Sequence, residues 1–242
     1  MPLPSIALNS VEGKQLFQEA MTSTIQGGLG CYFPLSEQFI TQSEPAFCSL
    51  SSLAMVLNAL SYDPKRIWKG PWRWFTEELL QCDSSDCCGN IEKVKNQGLD
   101  FDQFLSVIKC QGVYVTSQRV LNTGNTGTRP QPENGIGIDN STDDYEQFKS
   151  ILINICSNDN NSDRFMIVNY CRSVLGQTGT GHYRYTYSGV ILYYTILYLR
   201  LLYLILYCYY ILSYYVSPIG GYHAASESVL ILDVVRIAYF VA

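Results

Sequence analysis

Only two histidines, His182 and His223, occur in the 242 residues, so any mechanism that needs an imidazole must use one of them. Basic residues are also few: 16 Lys and Arg stand against 21 Asp and Glu, for a net charge of −5. Phosphate recognition wants a basic surface, so this balance argues against a nucleic-acid partner. No block of like charge occurs either. The N-terminus, Met1 to Leu8, lacks the basic region and apolar core of a secretory signal. The nine cysteines, at 31, 48, 82, 87, 88, 110, 156, 171 and 208, are odd in number and irregular in spacing. That pattern implies no disulfide framework, but reduced thiols and an intracellular, cytoplasmic location. Cys87-Cys88 are too close together to form a structural zinc pair alone. Charged residues make up 15% of the chain and hydrophobic residues 47%, which is ample material for one domain core or two small ones.

Apolar periodicity places the elements. Residues 11–24 read as a short helix, and Gly27-Gly28-Leu29-Gly30 as a Gly-rich turn. Residues 36–47 are irregular and end in Glu44-Pro45-Ala46-Phe47, where Pro45 suits a helix start. Leu50, Leu53, Ala54, Leu57 and Leu60 then recur at helical spacing, so 47–60 is a helix with a buried face. Asp63-Pro64 stops it. All three tryptophans fall in Trp68-Lys-Gly-Pro-Trp72-Arg-Trp74. An amphipathic helix at 101–111, a strand at 112–117, a helix at 143–156 and strands at 164–170 and 229–235 follow. Residues 122–142, rich in Gly, Asn, Thr and Pro, read as a mobile loop.

One stretch is foreign to the rest. Residues 184–216 hold 11 of the 19 tyrosines and no Asp, Glu, Lys or Asn. The apolar run is long enough for a membrane span, which needs about 20 residues. Arg200 near its middle costs roughly 2.5–3.5 kcal/mol on insertion scales, and the tyrosines are spread throughout rather than gathered at the ends. Membrane association is therefore expected only if 190–216 is a genuine span.

A thiol nucleophile needs a base, a group that orients the base, and donors for the oxyanion. Cys48 stands in the first turn of the 47–60 helix, where the dipole and free N–H groups lower a thiol pKa. Gln42, six residues earlier, offers an amide donor for the oxyanion beside the Cys48 N–H. His182 closes Gly179-Thr-Gly-His182, whose small residues permit close backbone approach. Asp233 interrupts an apolar strand, and a carboxylate there needs a partner. An imidazole N–H is one candidate; Arg236 or a strand-end cap is another. Each residue alone has a plainer role, Cys48 that of a buried hydrophobe above all. The chain order Gln, Cys, His, Asp is that of papain-like enzymes.

Longer segments carry a more specific likeness. Thr41-Gln-Ser-Glu-Pro-Ala-Phe-Cys48, Val56-Leu-Asn-Ala-Leu60, Asp63-Pro64 and Trp68-Lys-Gly-Pro-Trp-Arg-Trp-Phe75 resemble phytochelatin synthases. So do Gln177-Thr-Gly-Thr-Gly-His182, Ser217-Pro-Ile-Gly-Gly-Tyr-His223 and Leu230-Ile-Leu-Asp-Val-Val-Arg236. The resemblance covers most of that family's catalytic domain outside 122–142 and 184–216. It implies an α+β, papain-like fold, with a helical N-terminal part carrying the nucleophile and a C-terminal antiparallel sheet carrying His182 and Asp233. It also implies a glutathione γ-glutamylcysteinyltransferase. Cys48 would attack the Cys–Gly carbonyl of glutathione, His182 would protonate the leaving glycine, and Asp233 would orient His182. A second glutathione or a growing phytochelatin would then accept the acyl group.

Other roles follow from the same resemblance. Arg236 binds a substrate carboxylate or pairs with Asp233. Lys69 and Arg73 bind glutathione carboxylates or, the more expected role, stack on the tryptophans. Cys87-Cys88 match a Cys pair of the family and either touch a soft metal or stay idle. No tightly bound cofactor is expected. Heavy-metal ions (Cd, Zn, Cu) enter as metal–glutathione thiolates or activators. His223 is the competing base, placed second to His182. A glutathione hydrolase on the same site is the rival activity, and an inactive, membrane-associated fragment the rival of another class. Oligomeric state, a homodimer included, is left open.

Two features depart from the family pattern. In the family the His segment runs through one aromatic residue into Ser-Pro-Ile-Gly-Gly-Tyr, whereas here Ser217 lies 34 residues beyond Tyr183. Removing the 33 residues 184–216 would bring His182 and Asp233 from 51 apart to 18 apart (51 − 33), the family spacing. The segment is expected to be a translated intron or an insertion looped out between two strands. The chain also stops at Ala242, soon after Arg236, so 1–242 is expected to be a single catalytic domain truncated at its C-terminus.

Overall fold

The computed structural model describes residues 5–23, 27–80, 91–121, 142–158, 163–171, 191–198, 214–235 and 237–241. In chain order the elements are β1 (Ile6–Ala7), α1 (Val11–Thr22), β2 (Gly27–Gly28), α2 (Tyr32–Glu37), α3 (Cys48–Ala59), a 3-10 turn (Glu78–Leu80), α4 (Ile91–Gln97) and α5 (Phe101–Cys110). Then come β3 (Tyr114–Leu121), α6 (Thr142–Cys156), β4 (Arg164–Cys171), β5 (Ile191–Tyr198), β6 (Tyr214–His223), β7 (Ser228–Asp233) and β8 (Ile237–Val241). Helices dominate the first half and antiparallel strands the second, so the protein is α+β.

The strands form one sheet in the order β1-β8-β7-β6-β4-β5-β3, every neighbouring pair antiparallel. β2 adds to β6 beyond the end of β4, through Gly27↔His223 and Gly28↔Tyr222. Two glycines are required there. Gly28 has φ +138°, and a Cβ on it would lie 2.4 Å from Asn158 Oδ1. Asn158 earns that close approach by its bonding. Its Oδ1 accepts from Leu29 N–H at 2.8 Å, and its Nδ2 donates to the Met21 and Ser23 carbonyls at 3.2 Å. One side chain thus ties the end of α1 to the chain following α6.

α3 is buried on all sides, from Cys48 to Val56 and Leu57, and so it reads as a core helix rather than an amphipathic one. Leu53, Leu57 and Met55 are fully buried and share one core cluster with Val216, Ile219, Leu230 and Ile231 of the sheet. Each such side chain contributes about 1.5–3 kcal/mol. The hydroxyls that this burial takes from water are all paired. Ser51 Oγ donates to the Phe47 carbonyl at 2.9 Å, and Ser52 Oγ to the Val216 carbonyl at 2.8 Å. α5 starts with a capping box. Gln103 N–H donates to Asp100 Oδ1 at 2.8 Å and Asp100 N–H to Gln103 Oε1 at 2.9 Å.

The apolar stretch 184–216 is not simply looped out. Ile191–Tyr198 forms β5, paired with β3 on one edge and β4 on the other. Its last three residues, Tyr214 to Val216, begin β6 and run directly into Ser217. Its β-branched and aromatic composition favours strands, which decides the outcome where no periodicity does. Among the described residues no helix is long and apolar enough to cross a membrane. The expected mobile loop at 122–142 lies outside the described residues apart from Thr142, which begins α6.

Candidate active site

Cys48 is the first residue of α3. Phe47 occupies the N-cap and has no side-chain acceptor, so the first N–H groups of the helix are not capped from within. The Ser49 N–H and hydroxyl and the Val216 N–H lie near enough to the Cys48 sulfur to favour its charged form. One turn later Ser52 holds the carbonyl of the same Val216. Cys48 and Ser52 therefore both face one β6 residue, Val216. This happens just before the β6–β7 ladder begins at Ile219↔Ile231. The first turns of α3 take the place of β7 along that part of β6.

The loop before Cys48 is anchored from the Trp-rich segment. Glu77, buried, accepts from Ser43 N–H at 3.0 Å and from the hydroxyls of Ser43 and Ser51. Asn58 on α3 pairs with the backbone of Phe75 like a strand residue. Its Nδ2 donates to the Phe75 carbonyl at 2.9 Å, and its Oδ1 accepts from Phe75 N–H at 2.8 Å. Gln42 sits in this loop. Its N–H donates to the Val234 carbonyl at 3.0 Å, and its Nε2 donates to the carbonyls of Glu44 at 2.9 Å and Pro45 at 2.8 Å. Among the described residues its buried Oε1 has no hydrogen-bond partner. The Gln42 amide hydrogens are thus held by loop carbonyls.

Asp233 ends β7 and is completely buried. Its Oδ1 accepts from Val235 N–H at 3.0 Å and its Oδ2 from the Tyr170 hydroxyl at 3.0 Å. Tyr170 in turn accepts from the Tyr239 hydroxyl at 2.6 Å and lies 3.4 Å from Ser217 Oγ. Four strands, β4, β6, β7 and β8, thus contribute one side chain each to a buried chain of hydroxyls ending on a carboxylate. Burial pushes the Tyr170 hydroxyl well above its ordinary pKa, and the neighbouring Tyr239 and the Asp233 charge add to the effect.

Burial also governs Cys48. It pushes the thiol up, and the Asp233 charge adds to this. The Val216 and Ser49 N–H groups pull the other way, as the helix start leads one to expect, but desolvation outweighs them.

His223, the competing base, lies on β6 seven residues beyond Val216, roughly 20 Å along the strand. It is buried, with Nε2 at 3.0 Å from Glu19 Oε2, while its Nδ1 accepts from Ser226 N–H at 3.2 Å. That pair fixes the sheet to α1, and Glu19 has its pKa lowered by Gln15 and His223. Lys69 Nζ lies 4.9 Å from the ring centroid of Trp68, and Arg73 pairs with Asp63 at 3.1 Å on the surface. His182, Arg236, Cys87 and Cys88 lie outside the described residues. Among the described residues no group of three or more His, Cys, Asp or Glu is arranged to hold a metal ion.

Sequence reasoning named Cys48, Gln42 and Asp233. It passed over Tyr170, Tyr239, Ser52, Glu77 and Asn58. Tyrosines and serines carry no positional signal until a fold brings them together, whereas an acidic residue inside an apolar run does.

A phytochelatin synthase family model matches residues 1–185, and the chain belongs to that family. The match stops at Tyr185, the second residue of the apolar stretch. Glutathione gamma-glutamylcysteinyltransferase 3 of Lotus japonicus is 37% identical over 236 residues, which cover 98% of this chain and 36% of that one. Glutathione gamma-glutamylcysteinyltransferase 1 of Arabidopsis thaliana is 36% identical over 98% of this chain and 36% of its own length. The Schizosaccharomyces pombe glutathione gamma-glutamylcysteinyltransferase is 29% identical over 99% of this chain and 42% of its own length. The chain thus spans well under half the length of these relatives.

Proposed function

We propose that this chain is the papain-like catalytic part of a glutathione γ-glutamylcysteinyltransferase. The observation that carries the reading is the meeting of α3, β6 and β7. Cys48 starts the helix with N–H groups on its sulfur, and a buried, hydrogen-bonded carboxylate stands close enough to bias its ionisation. In this reading His182 takes the thiol proton and Asp233 orients the imidazole. The Cys48 sulfur attacks the carbonyl between the cysteine and glycine of glutathione. The tetrahedral oxyanion is met by the Cys48 N–H and by Gln42, which turns one amide hydrogen from the Pro45 carbonyl toward it. The C–N bond breaks, His182 returns the proton to the departing glycine, and a γ-glutamylcysteinyl thioester remains on Cys48. The amine of a second glutathione or a phytochelatin then displaces the sulfur, lengthening the peptide by one unit.

Heavy-metal ions enter this reading as substrate, bound by the thiolates of glutathione. Arg236 binds a substrate carboxylate. Lys69 and Arg73, stacked and paired at the surface, serve first to shape the Trp-rich segment. The cytoplasm supplies both glutathione and reduced thiols.

Mass spectrometry after incubation with glutathione and cadmium, on the chain lacking 184–216, in which His182 and Asp233 stand at the family spacing, tests the proposal. A γ-glutamylcysteinyl adduct on Cys48, lost in Cys48→Ala, with longer peptides in solution, is the expected result. Glycine release without longer peptides would assign a hydrolase instead. A protein that forms no adduct and releases no glycine would refute both.

A further inference from the structure

β6 starts inside the apolar stretch, and that start has a consequence for the site. Tyr214, Tyr215 and Val216 pair with Cys171, Tyr170 and Asn169 of β4, and Ser217 follows opposite Val168. The three residues before the stretch are Gly181, His182 and Tyr183. Joining Tyr183 to Ser217 would lay these three on the same ladder positions, because the Val168↔Ser217 and Ile167↔Pro218 pairs fix the register. His182 would fall where Tyr215 is now, directly across from Tyr170.

That position has distinctive surroundings. Side chains alternate along a strand, so position 215 shares a face with Ser217. The face is the one on which the Tyr170 hydroxyl meets both Ser217 and Asp233, at 3.4 and 3.0 Å. The next residue along, Val216, is bonded through its carbonyl to Ser52, one turn after Cys48, and its N–H lies near the Cys48 sulfur. Position 215 therefore neighbours both groups: Tyr170, across from it, reaches the buried carboxylate, and Val216, next to it, adjoins the start of the thiol's helix.

We infer that position 215 of β6 is the base position of this site, and that the presence or absence of 184–216 decides whether tyrosine or His182 fills it. The inference rests on the proposed roles of Cys48 and His182. A phenol is no general base for a thiol. An imidazole there accepts the proton from Cys48 Sγ, leaving a thiolate–imidazolium pair.

The test compares the 242-residue chain, a chain lacking 184–216, the same shortened chain with His182→Ala, and the full chain with Tyr215→His. Alkylation by iodoacetamide, in which the thiolate displaces iodide, is followed against pH on the Cys48 peptide. The full chain is expected to alkylate with an alkaline midpoint. The shortened chain should show a midpoint at or below about 7.5, lost again with His182→Ala. Tyr215→His should move the midpoint down by about one unit or more without any deletion. A folded shortened chain with the profile of the full chain, or a low midpoint that survives His182→Ala, overturns the inference. Should the shortened chain fail to fold, an unchanged profile in Tyr215→His does so alone. Glutathione adducts are scored separately. A lowered midpoint without adduct keeps the base position and sinks the transferase reading, whereas adduct on the full chain with no shift in any variant does the reverse.

Discussion

Removing the Tyr170 hydroxyl should cost far more than removing the Tyr239 hydroxyl, although the two touch each other. Tyr170→Phe takes the donor from a fully buried carboxylate, a bond of 3.0 Å, and takes from Tyr239 its acceptor at 2.6 Å. A hydrogen bond to a charged group contributes about 1.5–3 kcal/mol and a neutral one about 1, so the loss should be about 2.5–4 kcal/mol. Tyr239→Phe removes only a donor to a hydroxyl that keeps its bond to Asp233, and should cost about 0.5–1.5 kcal/mol. For a chain of this size each kcal/mol corresponds to roughly 2–4 °C in Tm. Urea unfolding of both variants, followed by tyrosine fluorescence and far-ultraviolet dichroism, gives the two values directly. The double variant should cost less than the sum, since the shared bond can be lost only once. Equal costs, or a larger cost for Tyr239→Phe, would show that the hydroxyl chain does not end on the carboxylate as described.

Three further outcomes are expected. Ser52→Ala leaves the buried Val216 carbonyl without its 2.8 Å donor and should destabilise by about 1–3 kcal/mol in urea unfolding; a change within 0.3 kcal/mol, roughly the additivity error, would contradict it. Glu77→Ala frees Ser43 and Ser51 together and should cost about 2–4 kcal/mol, with faster proteolysis in the 42–46 loop as a local readout; an unchanged digestion pattern would count against the anchor. Cys48, Cys156 and Tyr170 all have pKa values raised by burial, so the folded state holds protons that the unfolded chain gives up first. Their contribution is complete below the unfolded thiol pKa, about 8.5, and is lost as pH rises above it. Thermal melts should therefore fall steadily above about pH 9, and a Tm that climbs there would reverse the sign of the argument.

Much of the helical half is legible in the sequence, because its signals are local. The leucine spacing announces α3, and the amphipathic pattern of 101–111 announces α5. The helix reading of 143–156 matches Thr142–Cys156 to within a residue. β6 is harder to see. Ser-Pro-Ile-Gly-Gly has the composition of a turn, yet it is a strand because Pro218 stands just before the β6–β7 ladder begins and Gly221 packs its backbone against Leu29. β5 was hidden for another reason. An unpunctuated run of Tyr, Leu and Ile satisfies helix, span and strand alike, and only partners on both edges decide it. At the site, Cys48 and Asp233 stand out because each is chemically out of place in its surroundings. The sign of the thiol shift is not legible, since it depends on how deeply α3 is buried, a tertiary quantity.

β5 is antiparallel to each of its neighbours, so β3 and β4, joined through α6, already point the same way. Withdrawing β5 would leave two strands of like direction about 10 Å apart, facing each other across one empty strand-width. They could close the gap by a sideways shift of about 5 Å and pair as parallel neighbours, with no strand reversed and no loop rethreaded. The order β4-β6-β7-β8-β1, which carries the carboxylate and faces the thiol, would not be touched. The sheet is therefore modular at this one seam: a whole strand can be slotted in or taken out there, as a leaf is added to a table.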